Sequence, residues 1–195
     1  MVEQASPLGD AYRPGSHGNF AAGIGVVISE TRPGSIVEVA AWPGKRTALL
    51  EAIRAAVSLD MADAPGAGAT REGRAGFGIG PGRYLLADRA EALAQTLAGA
   101  ITPETGTVTD VSHGRTAIRI EGERAEWVLA KLFAIDVSPA GFPVGEGRAT
   151  AHHDISASIQ RTDTHRFDIY VFRSFARSFW KVLCHSAEEV GYEVR

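Results

Sequence analysis

The sequence predicts an α+β protein of two duplicated β-β-α-β-β-α halves packed together, about residues 21–102 and 103–195, behind an extended N-terminal arm at residues 1–20. Three observations lead there. β-branched runs of strand length alternate with segments whose apolar residues recur at helical spacing. The same order of elements occurs twice, at a spacing of about eighty residues, longer than the period of a solenoid repeat. A chain of 195 residues, 45% hydrophobic and 22% charged, suits one domain or two small halves sharing a core.

In order along the chain, residues 1–20 are small, polar and rich in Pro and Gly, with little apolar surface to anchor them. Gly23–Ser29 and Ile36–Trp42 flank Arg32-Pro33-Gly34 and read as a hairpin. Pro43-Gly44 stops the second strand, and Lys45–Leu59 places Leu49, Ile53, Ala56 and Val57 on one helical face. A loop rich in Ala and Gly at 60–75 precedes a strand pair, Phe77–Gly82 and Tyr84–Ala87. Asp88 suits the N-cap of a helix over Arg89–Ala98. After Pro103 the pattern restarts, with strands at Val108–Ser112 and Thr116–Ile120. Gly122 then opens a helix over Glu123–Phe133, with Ala125, Val128, Leu129, Leu132 and Phe133 inward. A long loop with Pro139, Gly141, Pro143, Gly145 and Gly147 leads to a hairpin of Ile155–Gln160 and Phe167–Phe172. Ser174 caps a last helix running to about Glu189, its inner face Phe175, Phe179, Val182, Leu183 and Ser186.

A net charge of −3 gives no electrostatic footprint for nucleic acid or an acidic membrane. No window approaches the roughly 18 consecutive apolar residues of a membrane span, and no apolar targeting segment opens the chain. The single cysteine, Cys184, excludes an internal disulfide and fits a reducing cytoplasm, the expected location.

Motifs that could carry chemistry each have a structural explanation. The glycines of Gly76-Phe-Gly-Ile-Gly-Pro-Gly82 alternate, and a strand follows, whereas a phosphate loop needs a helix N-terminus. His152 and His153 are neighbours in an extended segment and face apart, so with Asp154 and His165 they make a poor metal set. Cys184 and His185 diverge by ~100° on a helix and cannot pair as nucleophile and base. Asp110, Ser112 and His113 fit a strand end whose polar side chains tie down the next turn. No catalytic, cofactor-binding or metal-ligating residue is therefore assigned.

The aromatic C-terminal run, Phe167–Trp180, is the distinctive feature. Phe175 and Phe179 fall at core spacing, with Trp180 at the edge of that face. Tyr170 and Phe172 lie across their strand from Ile169 and Val171, so both strand faces are apolar. With Arg173 and Arg177 beside them, Tyr170, Phe172 and Trp180 suit the centre of a protein interface. A sheet held between two helix layers accounts for them equally well.

These residues resemble the gamma subunits of heterotetrameric sarcosine oxidase, over most of residues 36–190. The marks are Gly80-Pro-Gly-Arg-Tyr-Leu-Leu86, Thr109-Asp-Val-Ser112, Thr116–Gly122 before a helix, Ala134–Gly145 and Phe167–Trp180. The family resembles part of the folate-dependent aminomethyltransferase (T-protein) fold. The resemblance implies assembly with alpha, beta and delta subunits, alpha being the main contact. That assembly oxidises sarcosine to glycine with peroxide formation and passes the one-carbon unit to tetrahydrofolate. FAD, FMN, NAD and tetrahydrofolate are expected in the partner subunits and none in this chain. T-proteins carry an acidic pair near the positions of Ser156 and Ala157, which are uncharged here, so folate is expected elsewhere. The reading is thus a non-catalytic structural subunit of an oxidoreductase. The alternatives are the equivalent subunit of N-methylglutamate dehydrogenase, a stand-alone folate-binding protein using Asp110 or Asp154, and a free homodimer.

Overall fold

The computed structural model describes residues 5–19 and 21–195. Among the described residues there are twelve strands, the longer ones from β-branched and aromatic runs, and four α-helices from the amphipathic segments. Before the first helix come β1 (Gly15–His17), β2 (Val26–Thr31) and β3 (Ser35–Ala41). α1 (Arg46–Val57), β4 (Gly68–Arg71), β5 (Arg74–Gly80), β6 (Arg83–Asp88) and α2 (Leu93–Ala100) complete the first half. The second half contains β7 (Gly106–Asp110), β8 (Arg115–Glu121), α3 (Ala125–Leu132) and β9 (Gly147–His152). It ends with β10 (Ile155–Asp163), β11 (Arg166–Phe172), α4 (Ala176–Ala187) and β12 (Tyr192–Val194).

The strands form two sheets, ordered β1-β12-β2-β8-β11-β10-β9 and β4-β5-β6-β3-β7. The expected hairpin of β2 and β3 does not form. β2 pairs with β8 and β3 pairs with β7, so each half gives its first strand to the sheet of the other. Two strands joined by Pro33-Gly34 read alike whether they pair or part; the partners that decide are about eighty residues away. The duplication is preserved, with β7, β8, β9, β10 and β11 in the places of β2, β3, β4, β5 and β6.

The sheets stack face to face with helices outside, giving four layers. Leu49, Ile53 and Val57 of α1 and Leu93 and Leu97 of α2 bury Val37, Val39 and Leu86 of the smaller sheet. Val128, Leu129 and Leu132 of α3 and Phe179 and Leu183 of α4 bury Ile118, Ile120, Phe167 and Ile169 of the larger one. Between the sheets lies a thinner cluster of Ile36, Phe77, Leu85, Ala87, Ala117 and Tyr170. β11 is therefore apolar on both faces because a helix layer covers one and a second sheet the other.

The sheets approach closely where side chains are missing. A Cβ on Gly147 of β9 would lie 2.0 Å from the ring of Phe77 on β5. Gly147→Ala is expected to destabilise the protein by about 1–3 kcal/mol. Urea denaturation should show Gly147→Ala with Phe77→Leu losing less than the sum of the two single changes, because the smaller side chain relieves the clash. An unchanged midpoint for Gly147→Ala would refute the close packing.

Three sequence expectations are corrected. The described part of the N-terminal arm is anchored: Leu8 is fully buried in the larger core and β1 pairs with β12. One leucine in a Pro/Gly-rich stretch has no periodicity to betray it. Asp88 does not cap α2; its carboxylate accepts Arg74 Nε at 2.6 Å and the Ala90 amide at 3.2 Å, and the helix starts at Leu93. Ser174 does not cap α4 either. A 3₁₀ turn over Arg173–Phe175 precedes the helix and advances the phase, leaving Phe175 40% exposed and Trp180 2% exposed.

Candidate functional site

The C-terminal aromatic segment runs from β11 through the 3₁₀ turn into α4, and the fold distributes its residues among three environments. Tyr170 points between the sheets, its ring 6.1 Å from that of Phe77 and only 3% exposed. Burial there pushes the phenol well above its ordinary pKa. Trp180 lies under the N-terminal segment, where its indole N–H donates to the Ala11 carbonyl at 3.0 Å and Tyr12 packs at 5.4 Å. The expectation that Tyr170 and Trp180 are available to a partner is therefore corrected, because their own chain buries both.

The arginines hold the same N-terminal segment. Arg173 donates to the Ala5 carbonyl at 2.7 Å and Arg177 to the Pro7 carbonyl at 3.0 Å. Phe172 alone of the five is an exposed aromatic, at 43%, with Phe175 three residues on. The Arg115 guanidinium stacks over Phe172 at 3.8 Å and donates to Glu38 at 2.6 Å. Arg83 donates to the same carboxylate at 3.1 Å. Glu38 is on β3 and Arg115 on β8, so this network ties the two sheets beside the exposed ring. An open groove of about 500 Å³ adjoins it, lined by Glu38, Arg83, Asp110, His113, Arg115 and Phe172. An exposed aromatic pair with arginines at its rim and a groove beside it has the composition of an interface centre.

Sequence reasoning missed Glu38 and Arg115, which lie 77 residues apart and meet only through the stacking of the sheets. It also missed the polar groups held within and between the sheets. Arg119 and Asp168 face each other in the β8–β11 register and form a two-pronged pair at 2.7 and 2.8 Å. Gln160, fully buried, donates to the carbonyls of Gly76 at 3.2 Å and Gly145 at 2.8 Å and so joins the sheets.

The reactive residue types fill structural roles. Asp110 accepts the Ser112 amide at 2.9 Å and its hydroxyl at 2.5 Å, which holds the carboxylate below its ordinary pKa. Ser112 Oγ in turn accepts the Ile36 amide at 2.9 Å, tying this turn to β3. His152 lies 2.9 Å through Nδ1 from the Leu132 carbonyl. The two neighbouring imidazoles do not face apart as in a strand. They meet edge-on at 4.5 Å, because His153 leaves the strand at φ +49. Among the described residues no three His, Cys, Asp or Glu side chains converge on a metal position. Burial pushes the Cys184 thiol up to about 11, so it stays protonated near neutrality. β5 is followed by the antiparallel strand β6, so its glycines open no helix. Among the described residues no helix is long and apolar enough to cross a membrane.

Two strand-exchanged α+β halves in four layers define a protein of the aminomethyltransferase fold. The crystal structure of glycine cleavage system aminomethyltransferase T from Bartonella henselae matches 88% of this chain and 48% of its own, with a TM-score of 0.59 and 14% identity, a likeness of fold alone. Within that fold the chain belongs to the sarcosine oxidase, gamma subunit family, whose family model matches residues 46–189. It is 35% identical over 104 residues to the sarcosine oxidase subunit gamma of Corynebacterium sp. strain U-96, covering 53% of this chain and 51% of that one. The corresponding subunit of an Arthrobacter species is 32% identical over 140 residues, covering 70% of this chain and 68% of that one. Sequence matching thus spans about half the length of the Corynebacterium relative. A chain of the heterotetrameric sarcosine oxidase from Corynebacterium sp. U-96, solved with pyrrole 2-carboxylate, matches 96% of both chains, with a TM-score of 0.79 and 28% identity.

Proposed function

We propose that this chain is a non-catalytic, structural gamma subunit of a heterotetrameric sarcosine oxidase in the cytoplasm. Its partners are the alpha, beta and delta subunits, with alpha the main contact. The assembly demethylates sarcosine oxidatively to glycine with peroxide formation and transfers the one-carbon unit to tetrahydrofolate. FAD, FMN, NAD and tetrahydrofolate are bound by the partner chains. The observation that carries this reading is the end-to-end likeness to a chain of a heterotetrameric sarcosine oxidase.

The contact surface in this proposal centres on Phe172 and Phe175, with Arg173, Arg177 and the N-terminal segment at its edge. Tyr170 and Trp180 support it from beneath by fixing the sheet and the segment. The tagged chain, purified from its host, is expected to bring down three partner chains with a flavin absorption spectrum and sarcosine-oxidising activity. A colourless, solitary protein would overturn the proposal. Phe172→Asp is expected to weaken assembly about tenfold or more, as loss of an aromatic anchor does. Its thermal midpoint should hardly move, since the ring is already 43% exposed.

A further inference from the structure

The two halves differ at one equivalent position in a way that leaves a cavity in the first. In β10 the register shifts between Arg161 and Asp163, and Arg161 is paired with Phe167 of β11. In β5 it shifts between Gly78 and Gly80, and Gly78 is paired with Tyr84 of β6. The duplication therefore aligns Arg161 with Gly78, Phe167 with Tyr84 and Thr164 with Pro81.

In the second half the Arg161 guanidinium fills this place. It stacks over the Phe167 ring at 4.5 Å and donates to the Thr164 carbonyl at 2.6 Å, to the Val137 carbonyl and to Glu126 at 2.9 Å. In the first half the same place is a cavity of about 450 Å³, lined by Gly78, Pro81, Tyr84, Asp63, Arg46 and Arg148 among others. That volume lies in the range of small-molecule pockets, roughly 300–1,000 Å³. Tyr84 stands where Phe167 stands and Pro81 where Thr164 stands, both on the wall of the cavity. Asp63 supplies the carboxylate, from a loop rather than from the helix that carries Glu126. Arg148 is held by Glu146 at 2.7 Å, and Arg46, 3.1 Å from Asp63, is a half-exposed side chain that an entering guanidinium must displace from that carboxylate.

We infer that this cavity binds a guanidinium group, stacked on Tyr84 and hydrogen-bonded to Asp63 and the Pro81 carbonyl. The group arrives either on a free small molecule or as an arginine side chain of another subunit; the cavity chemistry is the same. A planar cation on a tyrosine face above backbone acceptors is favoured over an ammonium of equal charge, which neither stacks nor spreads its donors.

The test is calorimetric titration of the full chain with L-arginine amide, with citrulline amide and lysine amide as the neutral and ammonium counterparts and aspartate as an anion. Saturable binding of arginine amide is expected, about tenfold tighter than of either counterpart. Gly78→Arg should abolish it by supplying the chain's own guanidinium. Gly78 lacks a positive φ, and a Cβ there meets nothing nearer than 3.6 Å, so the side chain can be accommodated. Asp63→Asn, a change on a partly exposed side chain that leaves the core intact, should weaken binding about tenfold. Absence of saturation, equal binding of citrulline amide, preference for aspartate, or indifference to both variants would overturn the inference. In the chain purified with its partners, lost binding identifies a partner's arginine as the occupant, and retained binding a free small molecule.

Discussion

Arg161→Met is expected to destabilise the protein by about 3–5 kcal/mol, since two carbonyls each lose their donor at about 1–3 kcal/mol and Phe167 loses its cover. Arg161 is 1% exposed and serves two carbonyls, one carboxylate and one aromatic face at once. Which of these dominates follows from burial. The Glu126 side chain keeps 27% of its surface in water and can be solvated when the cation is lost. The Val137 carbonyl is reached through a buried bond, and an unpaired buried acceptor costs about 1–3 kcal/mol. Glu126→Gln alone should therefore cost little, and adding it to Arg161→Met should recover little. Urea denaturation of the three variants measures this. Full recovery in the double variant would show the ion pair, not the carbonyls, to be what Arg161 is kept for.

Trp180→Ala is the second large effect, again about 3–5 kcal/mol, the usual cost of emptying a buried tryptophan site. Here the loss has a local signature. Trp180 joins the larger core to the N-terminal segment through Tyr12 and the Ala11 carbonyl, and Leu8 is buried in the same core. Without the indole, residues 5–19 should detach before the domain unfolds, and the amides of β1, paired with β12 in the parent chain, should exchange with deuterium far faster. Trp180→Phe keeps most of the packing and should protect β1 nearly as well. Equal exchange in Trp180→Ala and the parent would mean that the segment is held by Arg173 and Arg177 instead.

The same two residues show how far the sequence could be read. Trp180 was legible as part of an aromatic helix, but its cover comes from a segment about 170 residues earlier. Arg161 sits at the polar end of its strand, between Gln160 and Thr162, where an arginine gives no sign of pointing inward; the carbonyls that accept from it lie in the following turn and in a loop 24 residues earlier. Phe172 is exposed, whereas Tyr170, two residues before it on the same strand face, is covered by the second sheet. The short strands β1, β4, β9 and β12 were unreadable, since runs of three to six residues carry little β-pattern of their own.

The sequence by itself determined the α+β class, the duplication and the main strands and helices, because these rest on periodicity and turn chemistry within a few residues. It also carried the family resemblance, through the order and spacing of segments from Gly80 to Trp180. Only the tertiary structure decided that the halves exchange their first strands, that two sheets pack face to face, and that Gly78 opens a cavity where Arg161 fills one. Those outcomes depend on which distant surfaces meet, and hydrogen bonds and apolar contacts between segments far apart leave no mark in the local pattern that precedes them.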